Sequence, residues 1–228
     1  MRWAIIFFVL SGCGLEPAHR PPASLSTCTS PTLAPTTSIT SLTERINQLP
    51  PSSPVCLLAS LPRPLQLVAS SSITSAQPAP SRDTPRLFLI GGDVALSFVP
   101  GGDGVHLVEF GQWMSKTRTL KGELELPRAD DGFALDAPLT RVRFNASMTT
   151  CGLCHRDEQL DSNTGGYTSL AFRPARETLV NFADVVREHE LCTRTEDASE
   201  RCLYFHALFD FGEVKAGTFD AEVSLFSE

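Results

Sequence analysis

Proline, glycine and phenylalanine are segregated along this 228-residue chain, and the segregation imposes two physical regimes on it. Thirteen of the 17 prolines lie between Pro17 and Pro85, and no glycine occurs between Gly14 and Gly91. Twelve of the 14 phenylalanines lie from Phe88 onward. Residues 14 to about 37 are rich in Ser, Thr and Pro. They hold too few apolar side chains to offset the entropy of ordering, so they are expected to form a spacer. The spacer is set at 13–54 and a single β-rich folded domain at 55–228.

Within the spacer, Ser41-Leu42-Thr43-Glu44 has capping-box spacing, and Leu42, Ile46 and Leu49 share one face. That predicts a short helix over 40–49, before Pro50-Pro51. Two short apolar runs bounded by prolines, 55–58 and 65–69, read as strands. Further strands are expected at 86–90, 94–99, 105–110, 120–126 and 139–145, punctuated by Gly91-Gly92-Asp93 and Gly101-Gly102-Asp103-Gly104 turns. The last third reads as a helix over 183–191 and a second after Asp197-Ala198-Ser199-Glu200, stopped by Gly212. In the second helix Cys202, Phe205, His206 and Phe209 share a face. A closing strand is expected over 218–226. The predicted fold class is mainly β, an antiparallel sandwich-like sheet, with two or three short helices in the C-terminal third.

The run Trp3 to Leu10 behind Arg2 is too short to span a bilayer and reads as an export signal over 1–12. Its ending, Leu10-Ser11-Gly12-Cys13, resembles a bacterial lipobox. The resemblance implies cleavage before Cys13, acyl chains on that residue and anchoring in the membrane. Gly14, where the family uses aspartate for inner-membrane retention, implies the outer membrane. Multiple acyl chains on one residue give stable anchoring.

Residues 87–228 hold 13 Lys and Arg against 23 Asp and Glu, a net of −10. An acidic domain without a basic stripe argues against a nucleic-acid partner. The expected partners are the membrane, through the lipid, and a redox partner or another envelope protein.

Six cysteines remain after Cys13, and an exported chain meets an oxidising compartment. Cys192 and Cys202 bracket a short loop between the two predicted helices, the most credible disulfide. Cys28 and Cys56 are then left to each other, although Cys28 lies in the expected spacer; without haem, Cys56 pairs instead with Cys151 or Cys154.

Cys151-Gly152-Leu153-Cys154-His155 matches Cys-x-x-Cys-His. The pentapeptide resembles the haem-attachment motif of c-type cytochromes. The resemblance implies haem c held by thioether bonds from Cys151 and Cys154, with His155 as the axial iron ligand. It covers five residues only, and no downstream methionine follows the motif, because Met1, Met114 and Met148 are the only ones. His206, or His189, is the candidate sixth ligand. Three alternatives stand beside haem: a structural disulfide between Cys151 and Cys154, a zinc site, and thiol–disulfide exchange. No other catalytic pattern occurs, and Trp113 and Phe110 mark either a binding surface or core. Two functions follow: a lipid-anchored envelope protein carrying one haem for single-electron transfer, or a non-enzymatic β-sandwich envelope lipoprotein serving adhesion, glycan binding or assembly, with purely structural cysteines.

Overall fold

The computed structural model describes residues 21–30, 32–50, 52–73, 75–127 and 132–226. The expected signal and Cys13 lie outside the described residues. Mainly-β architecture with short helices is what the chain adopts, although helices occur near both ends.

Three helices come first: α1 (Ala23–Ser26), α2 (Ile39–Gln48) and α3 (Pro54–Ser60). The expected spacer over 13–54 is therefore corrected. From residue 22 the chain is packed, with Leu25, Cys28, Ile39, Leu42, Ile46 and Leu49 all in the main core. The physical reason is a disulfide between Cys28 and Cys56, whose Cα atoms lie 5.1 Å apart. It fastens this Pro-rich segment to α3, in addition to what its buried apolar side chains contribute. Arg45 reinforces the arrangement by donating to the carbonyls of Ala34 and Ser60 at 2.8 and 2.6 Å.

Helix α2 starts earlier than its predicted capping box. Ser38 is the N-cap and accepts from the Ser41 amide at 3.0 Å. Helix α3 replaces the strand expected at 55–58. Ser53 caps it by accepting from the Cys56 amide, and Pro54 occupies its first turn, where a proline costs no hydrogen bond.

Eight strands form a continuous path: β1 (Leu65–Ser70), β2 (Arg86–Leu89), β3 (Val94–Phe98), β4 (Leu107–Ser115), β5 (Arg118–Glu125), β6 (Gln159–Leu160), β7 (Tyr167–Leu170) and β10 (Val214–Ala216). Their order is β10-β1-β2-β3-β4-β5-β7-β6, and β9 (Leu179–Val180) also pairs with β1. Only the β1–β10 pairing is parallel within this sheet. Strands β8 (Phe172–Arg173) and β11 (Ser224–Leu225) make a separate parallel pair. The expected strand over 218–226 is thus reduced to two residues.

The strand expected at 139–145 is corrected to helix α4 (Ala137–Arg141). Pro138 sits in its first turn, and the buried Leu139 and Val142 are three residues apart, a helical spacing that alternation cannot produce. Helices α5 (Phe182–Thr195) and α6 (Glu200–Phe209) fall close to their predicted places.

Alternation along the strands gives the large sheet two different faces. Leu67, Leu87, Leu96, Val108, Phe110 and Leu124 enter the main core, which also takes Leu57, Leu58, Tyr204 and Phe205 from the helices. Helix α2 is tied to this face by its Ile39 amide, which donates to Gln112 at 3.0 Å. The opposite face carries Arg86, Phe88, Ser97, Glu109, Lys121 and Glu123. No described helix is long and apolar enough to cross a membrane.

Candidate functional site

The polar face of the sheet is the floor of a cleft of about 620 Å³. Register dictates what stands side by side there. Ser97 is opposite Glu109, Glu109 is opposite Glu123, Gly111 is opposite Lys121, and Trp113 is opposite Thr119. Ala95 and Gly111 are small, so the middle of the floor is hollow, with charged side chains at one end and Trp113 at the other. Phe88, Phe172, Phe219 and Phe226 contribute apolar walls. Phe88 and Phe219 meet edge to face at 5.7 Å, as do Phe172 and Phe226 at 6.0 Å.

Like charges directly opposite one another destabilise a sheet, and Glu109 and Glu123 are such a pair. Each has its own cation. Arg86 pairs with Glu109 and also donates to Ser97 and Ser75. Arg141 spans Glu123 and Glu125 at 3.2 and 2.7 Å. Burial, and then the Glu109 charge, hold the Glu123 carboxyl above its usual range.

Lys121 has no such partner: no carboxylate of the described residues lies within ion-pair distance of it. Among the described residues its hydrogen-bond-distance neighbour is Nδ1 of His155, 3.3 Å from Nζ, with the Cys151 thiol and the Glu109 and Glu158 carboxylates further off. Burial pushes its ammonium down to about 8. Thr119, two residues earlier on the same face, has a buried hydroxyl without a hydrogen-bond partner.

The cleft wall carries the Cys-x-x-Cys-His segment. Thr150–Leu153 is a single 3₁₀ turn, continued by the His155 amide bonding the Cys151 carbonyl at 2.8 Å. Cys151 is half-buried, Cys154 is exposed, and neither is in a disulfide. The other four cysteines of the described residues are paired: Cys28 with Cys56 and Cys192 with Cys202. Burial and the Glu109 charge push the Cys151 thiol up to about 11. A thiol so poorly ionised is a weak nucleophile in the folded protein, which disfavours exchange chemistry. Zinc at the motif is disfavoured by geometry. Among the described residues, only His189, His206 and Asp210 bring three metal-type ligand atoms within 4.8 Å of one another.

His155 has the features of a ligating histidine. Its Nδ1 lies 2.8 Å from the Leu170 carbonyl, which can only accept, so Nδ1 carries the ring proton and Nε2 keeps its lone pair. Burial first, and the neighbouring Lys121 second, push its imidazolium down to about 3, so the ring is neutral at physiological pH. The ring lies tilted against Phe172, 5.4 Å between centroids.

The candidate sixth ligands are corrected. His206 and His189 do not line the cleft. Their helices contribute Val185, Tyr204, Phe205 and Leu208 to the main core, on the other face of the sheet. Both imidazoles bond Asp210 there, at 2.8 and 2.6 Å.

Sequence reasoning missed Arg86, Glu109, Lys121 and Glu123 as site residues. Their alternation with buried neighbours was readable, but the rest of the cleft lining comes from distant stretches, among them Ser72, Ser75 and Ala76, residues 150–155 and residues 171–178. Phe110 is core, whereas Trp113 lines the cleft. No family model, curated protein or solved structure matches this chain.

Proposed function

We propose that the cleft takes one covalently attached haem and that the protein passes single electrons at the cell envelope, anchored through Cys13. One observation carries the reading. In a chain whose other described cysteines are paired, only the two motif thiols are free, and they stand at a cleft beside a neutral imidazole with an available Nε2. Cys151 and Cys154 would hold the macrocycle and His155 would ligate the iron. Phe88, Phe172, Phe219 and Phe226 suit its apolar faces, and Arg86 and Lys121 suit its carboxylates. When bound, the group supplies a one-electron couple, while the chain excludes water and sets the potential through burial and the charges of the floor.

The test is expression with cytochrome maturation genes. The expected product shows a Soret band that survives acid-acetone extraction and one haem of added mass on the 151–155 peptide. A colourless product with unmodified Cys151 and Cys154 overturns the reading.

A second reading is favoured by Lys121: a non-enzymatic envelope protein that binds a small aromatic carboxylate in the same cleft. A buried ammonium without a carboxylate partner costs stability unless a ligand anion matches it. Titrating the haem-free protein with benzoate and indole-3-acetate, followed by thermal unfolding, separates the two. Saturable stabilisation that Lys121→Met abolishes supports binding, and its absence overturns it.

A further inference from the structure

On the helical side of the sheet, three metal-type side chains converge independently of the cleft. His189 belongs to α5, and His206 lies four residues before Asp210, which ends α6. Their positions follow from the sequence in a simple way. The disulfide between Cys192 and Cys202 fastens α5 to α6, with Cα atoms 5.5 Å apart. His189 is three residues before Cys192 and His206 four residues after Cys202, so each lies about one helical turn from the fastening. The result is a pair of imidazoles 5.4 Å apart between centroids. Asp210 lies one turn further along α6, with one oxygen toward each ring.

Burial separates this group from an ordinary surface cluster. The Asp210 side chain is 2% exposed, His206 5% and His189 17%. Phe209 lies against the His189 ring at 5.1 Å. A second tie, the ion pair between Glu188 and Arg201, joins the same two helices, so the group is held on rigid elements.

We propose that His189 Nε2, His206 Nδ1 and one Asp210 oxygen form a binding site for a divalent transition metal of the zinc class. Two imidazole nitrogens and one carboxylate oxygen are a donor set that zinc takes with a water at the remaining tetrahedral position. In the metal-free structure both ring nitrogens face Asp210 as hydrogen-bond partners, so binding requires each of them to be without its proton. The site does not depend on haem. With three protein ligands and His189 partly exposed, it leaves one coordination position for an exogenous oxygen donor.

The test uses the full chain carrying Cys151→Ser and Cys154→Ser, which removes the other soft donors. After chelator treatment it is titrated with zinc and, separately, with cobalt(II). The expected result is one equivalent of zinc bound, a raised unfolding temperature, and a cobalt spectrum free of thiolate charge transfer. His189→Ala, the substitution at the most exposed ligand, is expected to weaken zinc about a hundredfold or more. His189→Gln serves as the second variant, with the Cys192–Cys202 disulfide as the check on folding. Zinc binding no tighter in the parent than in folded His189→Ala or His189→Gln overturns the proposal. The three residues are then a hydrogen-bonded strut and nothing more.

Discussion

Nζ of Lys121 lies 3.3 Å from Nδ1 of His155, although that ring nitrogen already gives its proton to the Leu170 carbonyl. The lysine therefore meets a donor where it needs an acceptor, and its charge adds to burial in keeping the imidazole from protonating. Two cationic groups so placed leave room for one charge only.

The first prediction concerns that lysine in the haem-free protein. Its folded value is about 8 and its ordinary one 10.5, so between them the unfolded state binds more protons. Stability accordingly rises with pH from about 8 to 10.5, and the penalty is full below 8. Cys151 acts oppositely: its folded value of about 11 exceeds the ordinary 9, so stability falls from about 9 to 11. The net gain is expected between pH 8 and 9. Lys121→Met should remove that rise and stabilise the protein at pH 7 by roughly 1–3 kcal/mol. Urea unfolding across this range is the check, and an unchanged pH profile in the variant contradicts it.

Gln77 is fully buried and donates to the carbonyls of Leu107 at 2.7 Å and Ser97 at 3.3 Å. It pins one roof segment of the cleft to β3 and β4. Gly104 allows this approach, because a Cβ there would meet the Gln77 Cα at 2.8 Å. Gln77→Leu should cost about 1–3 kcal/mol by orphaning those carbonyls. Amide exchange of residues 75–77 should accelerate in step with that loss, and unchanged protection would show that the roof is held otherwise.

Arg63 closes the opposite end of the core by donating to the Ala207 and Leu208 carbonyls at the end of α6. Burial lowers its guanidinium to about 10, so it remains charged at neutral pH. Lysine lacks the planar fork needed for two carbonyls. Both Arg63→Lys and Arg63→Met are expected to destabilise, the latter by roughly 2–4 kcal/mol. Chemical unfolding that finds lysine equal to arginine would contradict the fork.

Replacing Cys28 and Cys56 together by serine opens a link of sequence separation 28, worth roughly 3–4 kcal/mol in the chain-entropy account. Limited proteolysis of that variant should cut first between residues 22 and 37, before any cut in the sheet. Simultaneous cleavage would show that α1 and the sheet open as one unit.

Much of this architecture was legible. Strands β2 to β5 announce themselves by alternation and by their Gly-Gly-Asp turns, and α5 and α6 by periodicity and capping residues. The misreadings have particular causes. Val55-Cys56-Leu57-Leu58 is too short for its period to speak, and the informative pair was Ser53-Pro54, a cap followed by a proline suited to a first turn. Cys28 was itself the signal that the Pro-rich segment is held down, since its partner Cys56 lies in the folded body. The cleft was hidden for another reason. Alternation says that Arg86, Glu109 and Lys121 share a face, but only long-range packing decides that this face is roofed.

The Cys28–Cys56 link also fixes how far the folded body could roam from a bilayer. Were Cys13 acylated, only nine residue steps would separate it from Pro22, and even drawn taut they reach about 30 Å. A spacer lasting to residue 54 would have allowed several times that excursion. In that case the cleft would stay within this reach plus the width of the folded body from the bilayer, and any macromolecule meeting it would have to come as near.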